Sequence, residues 1–149
     1  MKKILISWLA IQNDFVHTSE GKKVNVQGPN YLYHQHYYDY EAHILLSSAA
    51  SEDTDTAGVF MKNKLYQDFP NHQVQLEYLG IEDVINLNEI QQKVLPILLS
   101  YREAQIDIFF SPGTAVMRLA WFICHQTLAL DTTLIQTRKP VYGKRQVPD

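Results

Sequence analysis

Four turn and capping residues, Ser111-Pro112-Gly113-Thr114, separate two apolar runs in the stretch FFSPGTAVM. Ser111 and Thr114 bring hydroxyls, and Gly113 permits a close backbone approach or a positive φ. The helix expected to start after Thr114 has unsatisfied N–H groups at the same place, which is the physical recipe for an anion site. An ordinary strand-to-helix corner is built from the same residues. Arg118 follows one turn later on the same helix face, among Val116, Met117, Leu119, Ala120, Trp121 and Phe122. A guanidinium in so apolar a stretch needs an anion, a carboxylate of this chain or of a second subunit, or a route to water. Two further polar pairs fit the same edge of a sheet: Asn13-Asp14 and the basic Arg138-Lys139. Asn13 and Asp14 equally suit plain turn chemistry.

Other constellations are weaker. The segment YLYHQHYYDYEAH (31–43) holds five of the nine tyrosines and three of the six histidines. His34, His36, Asp39 and His43 do not fall into the spacing of a strong metal motif, so no metal or cofactor is expected. Aromatic packing, a subunit interface or stacking on bases are the readings left for the tyrosines. The single cysteine, Cys124, lies in RLAWFICHQ, where a buried inert thiol is expected; it also rules out an internal disulfide. There is no G-x-S-x-G elbow, no G-x-G-x-x-G after the first strand and no Walker A motif, which weakens hydrolase, dinucleotide and NTPase readings.

The elements that must position these residues alternate. Apolar strands are expected at 2–10, 41–49, 72–80, 105–110 and 131–137, the first almost continuously apolar and so covered on both faces. Residues 11–30 read as a long loop or small hairpin. Helices are expected over 56–69, stopped by Pro70; from an Asn88 cap through about Glu103, with Pro96 kinking it or marking its effective start; and from Thr114 onward. Strands alternating with helices imply βαβ units: an α/β, Rossmann-like fold with a mostly parallel sheet and helices on both faces. In such sheets ligands bind beyond the carboxyl ends of the strands, where strand order reverses. The loop after the first strand, the Ser111–Thr114 corner and the 138–139 turn should all reach that edge.

Composition bounds the function. A length of 149 residues with 46% hydrophobic and 19% charged suits one domain with a real core. Residues 1–110 carry 8 Lys and Arg against 14 Asp and Glu, whereas residues 111–149 carry five against two. The corner thus opens the basic part of an acidic protein whose net charge is −3, which favours a small anion over a long nucleic acid. The start, MKKILISWLA, reads as a buried strand rather than a signal peptide, and no run approaches the roughly 20 residues that span a membrane. A reducing cytoplasm is the expected setting. The stretch 138–149 is polar, basic and aperiodic, and fits a tail or a linker to a following domain.

The stretches IDIFFSPGTAVMRLAWF and TTLIQTRKP resemble the CRISPR-associated Rossmann-fold (CARF) sensor domains. GPNYLYHQHYYDYEAHILLSS and LIQT are closest to the variant at the front of RNA-repair transcription regulators. The likeness runs over most of residues 2–140, and its sharp motif is Ser111–Thr114. It implies a homodimer that binds a cyclic oligoadenylate, tetra- or hexa-adenylate, across its two-fold axis and regulates an appended antiviral effector. The ligand contacts would be Ser111, Pro112, Gly113 and Thr114, with Asn13 and Asp14 more loosely and Arg118, Arg138 and Lys139 nearby. Some members cleave the ring, so a ring nuclease using Arg138 or Lys139 is the alternative from the enzyme class; an RNA-end sensor is another. The long Tyr/His-rich segment departs from the pattern, where many members place a plain first helix.

Overall fold

The computed structural model describes residues 2–51 and 56–136. Five strands form one parallel sheet: β1 (Lys3–Trp8), β4 (Ala42–Ser47), β5 (Val74–Tyr78), β6 (Gln105–Phe109) and β7 (Thr132–Ile135), in the order β5-β4-β1-β6-β7. β1 is central because both its faces are apolar or hydrogen-bonded; every residue from Ile4 to Trp8 is buried. The sheet is the Rossmann-like α/β arrangement that the alternating pattern implies. Residues 11–30 resolve into a hairpin, β2 (Phe15–Thr18) with β3 (Gly21–Val24), which leads into the short helix α1 (Pro29–His34). A 3₁₀ turn (Tyr37–Asp39) then feeds β4.

The period-2 alternation of the strands divides the core. Ile4, Ile6, Trp8, Ile44, Leu46, Ile106 and Ile108 point to one face, covered by α3 (Leu87–Ser100) and α4 (Ala115–Thr127). Leu5, Leu45 and Phe109 point to the other, covered by α2 (Thr56–Asp68), the hairpin and the Tyr/His-rich segment.

One helix start differs from the sequence expectation. Asn86, not Asn88, caps α3: its side chain accepts from Glu89 N at 3.1 Å. Glu89 in turn accepts from the amides of Glu82 and Asp83, both at 2.9 Å, and so ties the preceding loop to the cap. Pro96 lies within α3, which continues to Ser100.

Candidate functional site

The strand order reverses between β1, whose next sheet neighbour in sequence is β4, and β6, which is followed by β7 on the opposite side. The crevice of this α/β sheet therefore opens beyond Trp8 and Phe109. Three segments meet that edge: the loop after β1, the loop after β5, and the 110–114 corner after β6.

The corner is anchored from beneath. Gly113 has φ +104°, and a Cβ there would lie 3.1 Å from Met117 Sδ and 3.5 Å from Trp8 Cβ. An L side chain would be strained and crowded at once. Trp8 packs at a tilt of 44° against Trp121 of α4 with ring centroids 6.0 Å apart, and both rings are fully buried. Pro112 is buried, while Ser111 and Gly113 are half-buried. Thr114 is the N-cap of α4. Its Oγ1 accepts from Met117 N at 3.1 Å and donates to Val84 O at 3.0 Å, which draws the loop after β5 onto the corner. The hydroxyl is thus shared between helix capping and loop docking. Among the described residues, the first-turn amides of Ala115 and Val116 have no partner.

Arg118 sits one turn on, half-buried, and forms no ion pair with a described residue; its Nε is buried and unpartnered. The indole N–H groups of Trp8 and Trp121 are likewise buried without a partner. The Arg118 guanidinium and the two open amides give the α4 start an excess of donors.

Asn13 and Asp14 have parted company. Asn13 is exposed on the loop after β1, with its carbonyl accepting from Asn25 Nδ2 at 3.0 Å. Asp14 is fully buried, and its carboxylate accepts from Ala10 N (2.8 Å), Asn30 N (3.0 Å) and Asn30 Nδ2 (2.6 Å). Burial pushes its pKa up, and the bonds from Asn30 and Ala10 pull against that. Asp14 therefore holds the loop that presents Asn13. Gly28 closes the same loop: a Cβ there would meet Asn13 O at 2.5 Å. Arg138 and Lys139 lie outside the described residues.

The chain of side chains that starts at Asp14 was not visible in the sequence. Asn30 accepts from Ser7 Oγ at 2.6 Å, and Ser7 Oγ meets His43 Nε2 at 2.8 Å. His43 Nδ1 meets His34 Nδ1 at 2.9 Å, and His34 Nε2 meets His72 Nδ1 at 2.9 Å. Ser7 within ILISW and His43 within AHILLS are polar residues at buried strand positions, which is the one signal the sequence held. His36 is exposed and packs at a tilt against Tyr33 instead of joining the chain. Among the described residues, no group of three or more His, Cys, Asp or Glu side chains is arranged to hold a metal ion. Cys124 is buried, and burial pushes its thiol pKa up. No helix of the described residues is long and apolar enough to cross a membrane.

No protein-family model and no curated protein matches this sequence. Among solved structures, the chain is similar to Csm6 of Enterococcus italicus bound to cyclic hexa-2'-fluoro-hexa-dAMP, with a TM-score of 0.69 and 18% identity. The match covers 97% of this chain and 35% of that one, so this chain spans about a third of that protein's length. At that identity the shared property is the fold.

Proposed function

We propose that this chain is a CARF-type sensor domain that binds a cyclic oligoadenylate at the crevice beyond β1 and β6. The observation that carries the reading is the donor-rich corner: open amides of Ala115 and Val116 with the unpartnered Arg118 Nε, at the switch point of the sheet. Phosphodiester oxygens are acceptors only, and the open amides and the guanidinium can only donate. The fold shared with Csm6, solved with a cyclic hexa-adenylate analogue, supports the same ligand class.

In this reading Ser111, Pro112, Gly113 and Thr114 form the cradle, with Gly113 letting the phosphate approach the backbone. Arg118 supplies charge, Asn13 contacts the ligand directly, and Asp14 acts through the loop it holds. Arg138 and Lys139 complete the basic rim. A cyclic ligand with two-fold symmetry calls for a second copy of the site, hence a homodimer. The helices α3 and α4 leave Leu95, Leu99, Leu119 and Phe122 exposed, apolar surface suited to that contact. Ligand binding across the two-fold axis then changes the angle between subunits, and an effector domain joined to the chain reads it in the cytoplasm.

Titration calorimetry with cyclic tetra-adenylate and cyclic hexa-adenylate tests this and sets the ring size. Arg118→Gln should weaken binding at least tenfold, about 1.4 kcal/mol, with an unchanged circular dichroism spectrum. Undiminished affinity removes the proposed cradle. Chromatography of the ligand after incubation separates the alternatives: an intact ring fits a sensor, a linear product fits a ring nuclease. Binding of RNA ends with no affinity for either ring favours the RNA-repair variant.

A further inference from the structure

The buried chain from Asp14 to His72 has a direction, and counting donors fixes it. Both neighbours of Asn30 Nδ2, Trp8 O at 2.8 Å and Asp14 Oδ2 at 2.6 Å, can only accept, so the amide orientation is set. Asn30 Oδ1 must then accept, and the Ser7 hydroxyl donates its one proton to it. Ser7 Oγ has nothing left to donate, so His43 Nε2 carries a hydrogen and His43 Nδ1 is bare. His34 Nδ1–H therefore donates to His43 Nδ1, leaving His34 Nε2 bare to accept from His72 Nδ1–H. Every hydrogen points inward, toward the Asp14 carboxylate. The one open acceptor is Nε2 of His72, the part-exposed end of the chain, held between the rings of Tyr37 (4.1 Å) and Phe69 (5.0 Å).

We propose that this chain is a proton-ordered latch: a proton entering at His72 passes inward as far as His43 and no farther, and a second proton breaks a link and loosens the loop after β1. One extra proton can be accommodated without losing a bond. Taken up on His72 Nε2, it lets the Nδ1 hydrogen pass to His34, and the His34 Nδ1 hydrogen pass to His43, each donor becoming an acceptor in turn. Transfer stops at Ser7 and Asn30, because an amide oxygen does not carry the proton on. A second proton sets two donors face to face at 2.9 Å, and one link must open. Asn30 is the joint that matters, because the same residue holds Asp14 by both its backbone and its side chain.

The groups facing the chain come from several elements: Ser7 on β1, Asp14 on the loop after it, Asn30 and His34 on α1, Tyr37 on the 3₁₀ turn, His43 on β4, and His72 before β5. The influences on the imidazoles are burial and one another; burial lowers all three, His34 to about 4 and His43 well below the ordinary value. Tyr37 is committed elsewhere, with its hydroxyl donating to Glu41 O and accepting from Gln73 N. The latch is independent of what ligand occupies the crevice, so its test needs none.

Imidazole nitrogen NMR on the ¹⁵N-histidine-labelled full chain at pH 7.5 reads the order directly. His43 should be protonated at Nε2, and His34 and His72 at Nδ1; the reverse pattern overturns the proposal. Amide hydrogen exchange between pH 7.5 and 4 then reads the latch, because burial holds the second protonation down to about the value of His34. Protection of the Ala10 and Asn30 amides should fall about tenfold more than that of Ile106, whose amide bonds Asp131 O. Ser7→Ala, which cuts the chain beside Asn30, should remove that difference, and His72→Phe should move the response to lower pH. A parallel loss at Ile106 in the wild-type protein means global unfolding, and overturns the latch.

Discussion

The two faces of the one sheet are built on opposite principles. The face under α3 and α4 is aliphatic and aromatic throughout: Ile4, Ile6, Ile44, Leu46, Ile106 and Ile108 against Ile90, Val94, Leu98 and Trp121. The face under α2 and the Tyr/His-rich segment carries Ser7, His43 and Asp107 at fully or nearly fully buried positions. Each of these three is met by that segment or the loop before it: Ser7 by Asn30, His43 by His34, and Asp107 by the Tyr40 hydroxyl at 2.7 Å. Lys3 adds an ion pair to Asp107 at 3.7 Å. The unusual composition of residues 31–43 is thus the complement of polar residues in the strands. An apolar face tolerates reshaping at the cost of volume, whereas a hydrogen-bonded face fails when any one partner is removed.

The comparison can be broken most severely at Asn30. Asn30→Ala leaves the Asp14 carboxylate, Ser7 and Trp8 O buried with partners lost, and should cost about 3–5 kcal/mol in urea unfolding. A loss under about 1 kcal/mol would show that water replaces the amide and that the two faces do not differ in kind. Acid is the next lever. His34 is fully buried, and its pKa falls to about 4 in the fold. The unfolded chain takes its proton first, at about 6.5. Stability is therefore fully present above pH 6.5 and is lost as pH falls toward 4, by roughly 3 kcal/mol from this group. Chemical unfolding at a series of pH values measures the slope, and His34→Leu should flatten it.

The apolar face should respond less and without regard to pH. Ile108→Val should cost about 1 kcal/mol, the same at pH 7.5 and pH 5.5. A pH-dependent cost there would mean the faces are coupled through the sheet. Smallest is the difference between the two asparagines at the start of α3. Asn86→Ala should lose about 1 kcal/mol, while Asn88→Ala stays within about 0.5 kcal/mol; equal losses would return the cap to Asn88.

What could be read before folding follows from range. The parallel sheet was legible because strands covered on both faces are apolar at most positions, as in ILISW and HILLS, where Ser7, His43 and Ser47 are the exceptions. The corner at Ser111–Thr114 was legible because a turn residue, a proline, a glycine and a cap lie within four positions. Thr114's bond to Val84, 30 residues earlier, was not. Nor was the link from His34 to His72, which are 38 residues apart with β4 and α2 between them. Asn86 and Asn88 were equivalent in sequence until Glu89 was seen to reach back to Glu82 and Asp83. Asp14 read as a polar partner of Asn13 because neighbouring residues in a loop give no sign of which one turns inward.

The narrow waist below the hairpin has a consequence for how this chain can change over time. Asn25 bonds Asp14 O at 2.8 Å through its amide and Asn13 O at 3.0 Å through its side chain, and Gly28 closes against the same carbonyl of Asn13. Phe15 and Val24 are buried against the core, and everything from Val16 to Lys23 is exposed outboard of that waist. The tip at Glu20-Gly21 can accept insertions, tags or fluorophores, with each doubling of its length costing only about 0.6 kcal/mol of closure entropy. Lineages descended from this chain are free to diversify there, while the residues at the waist itself are held.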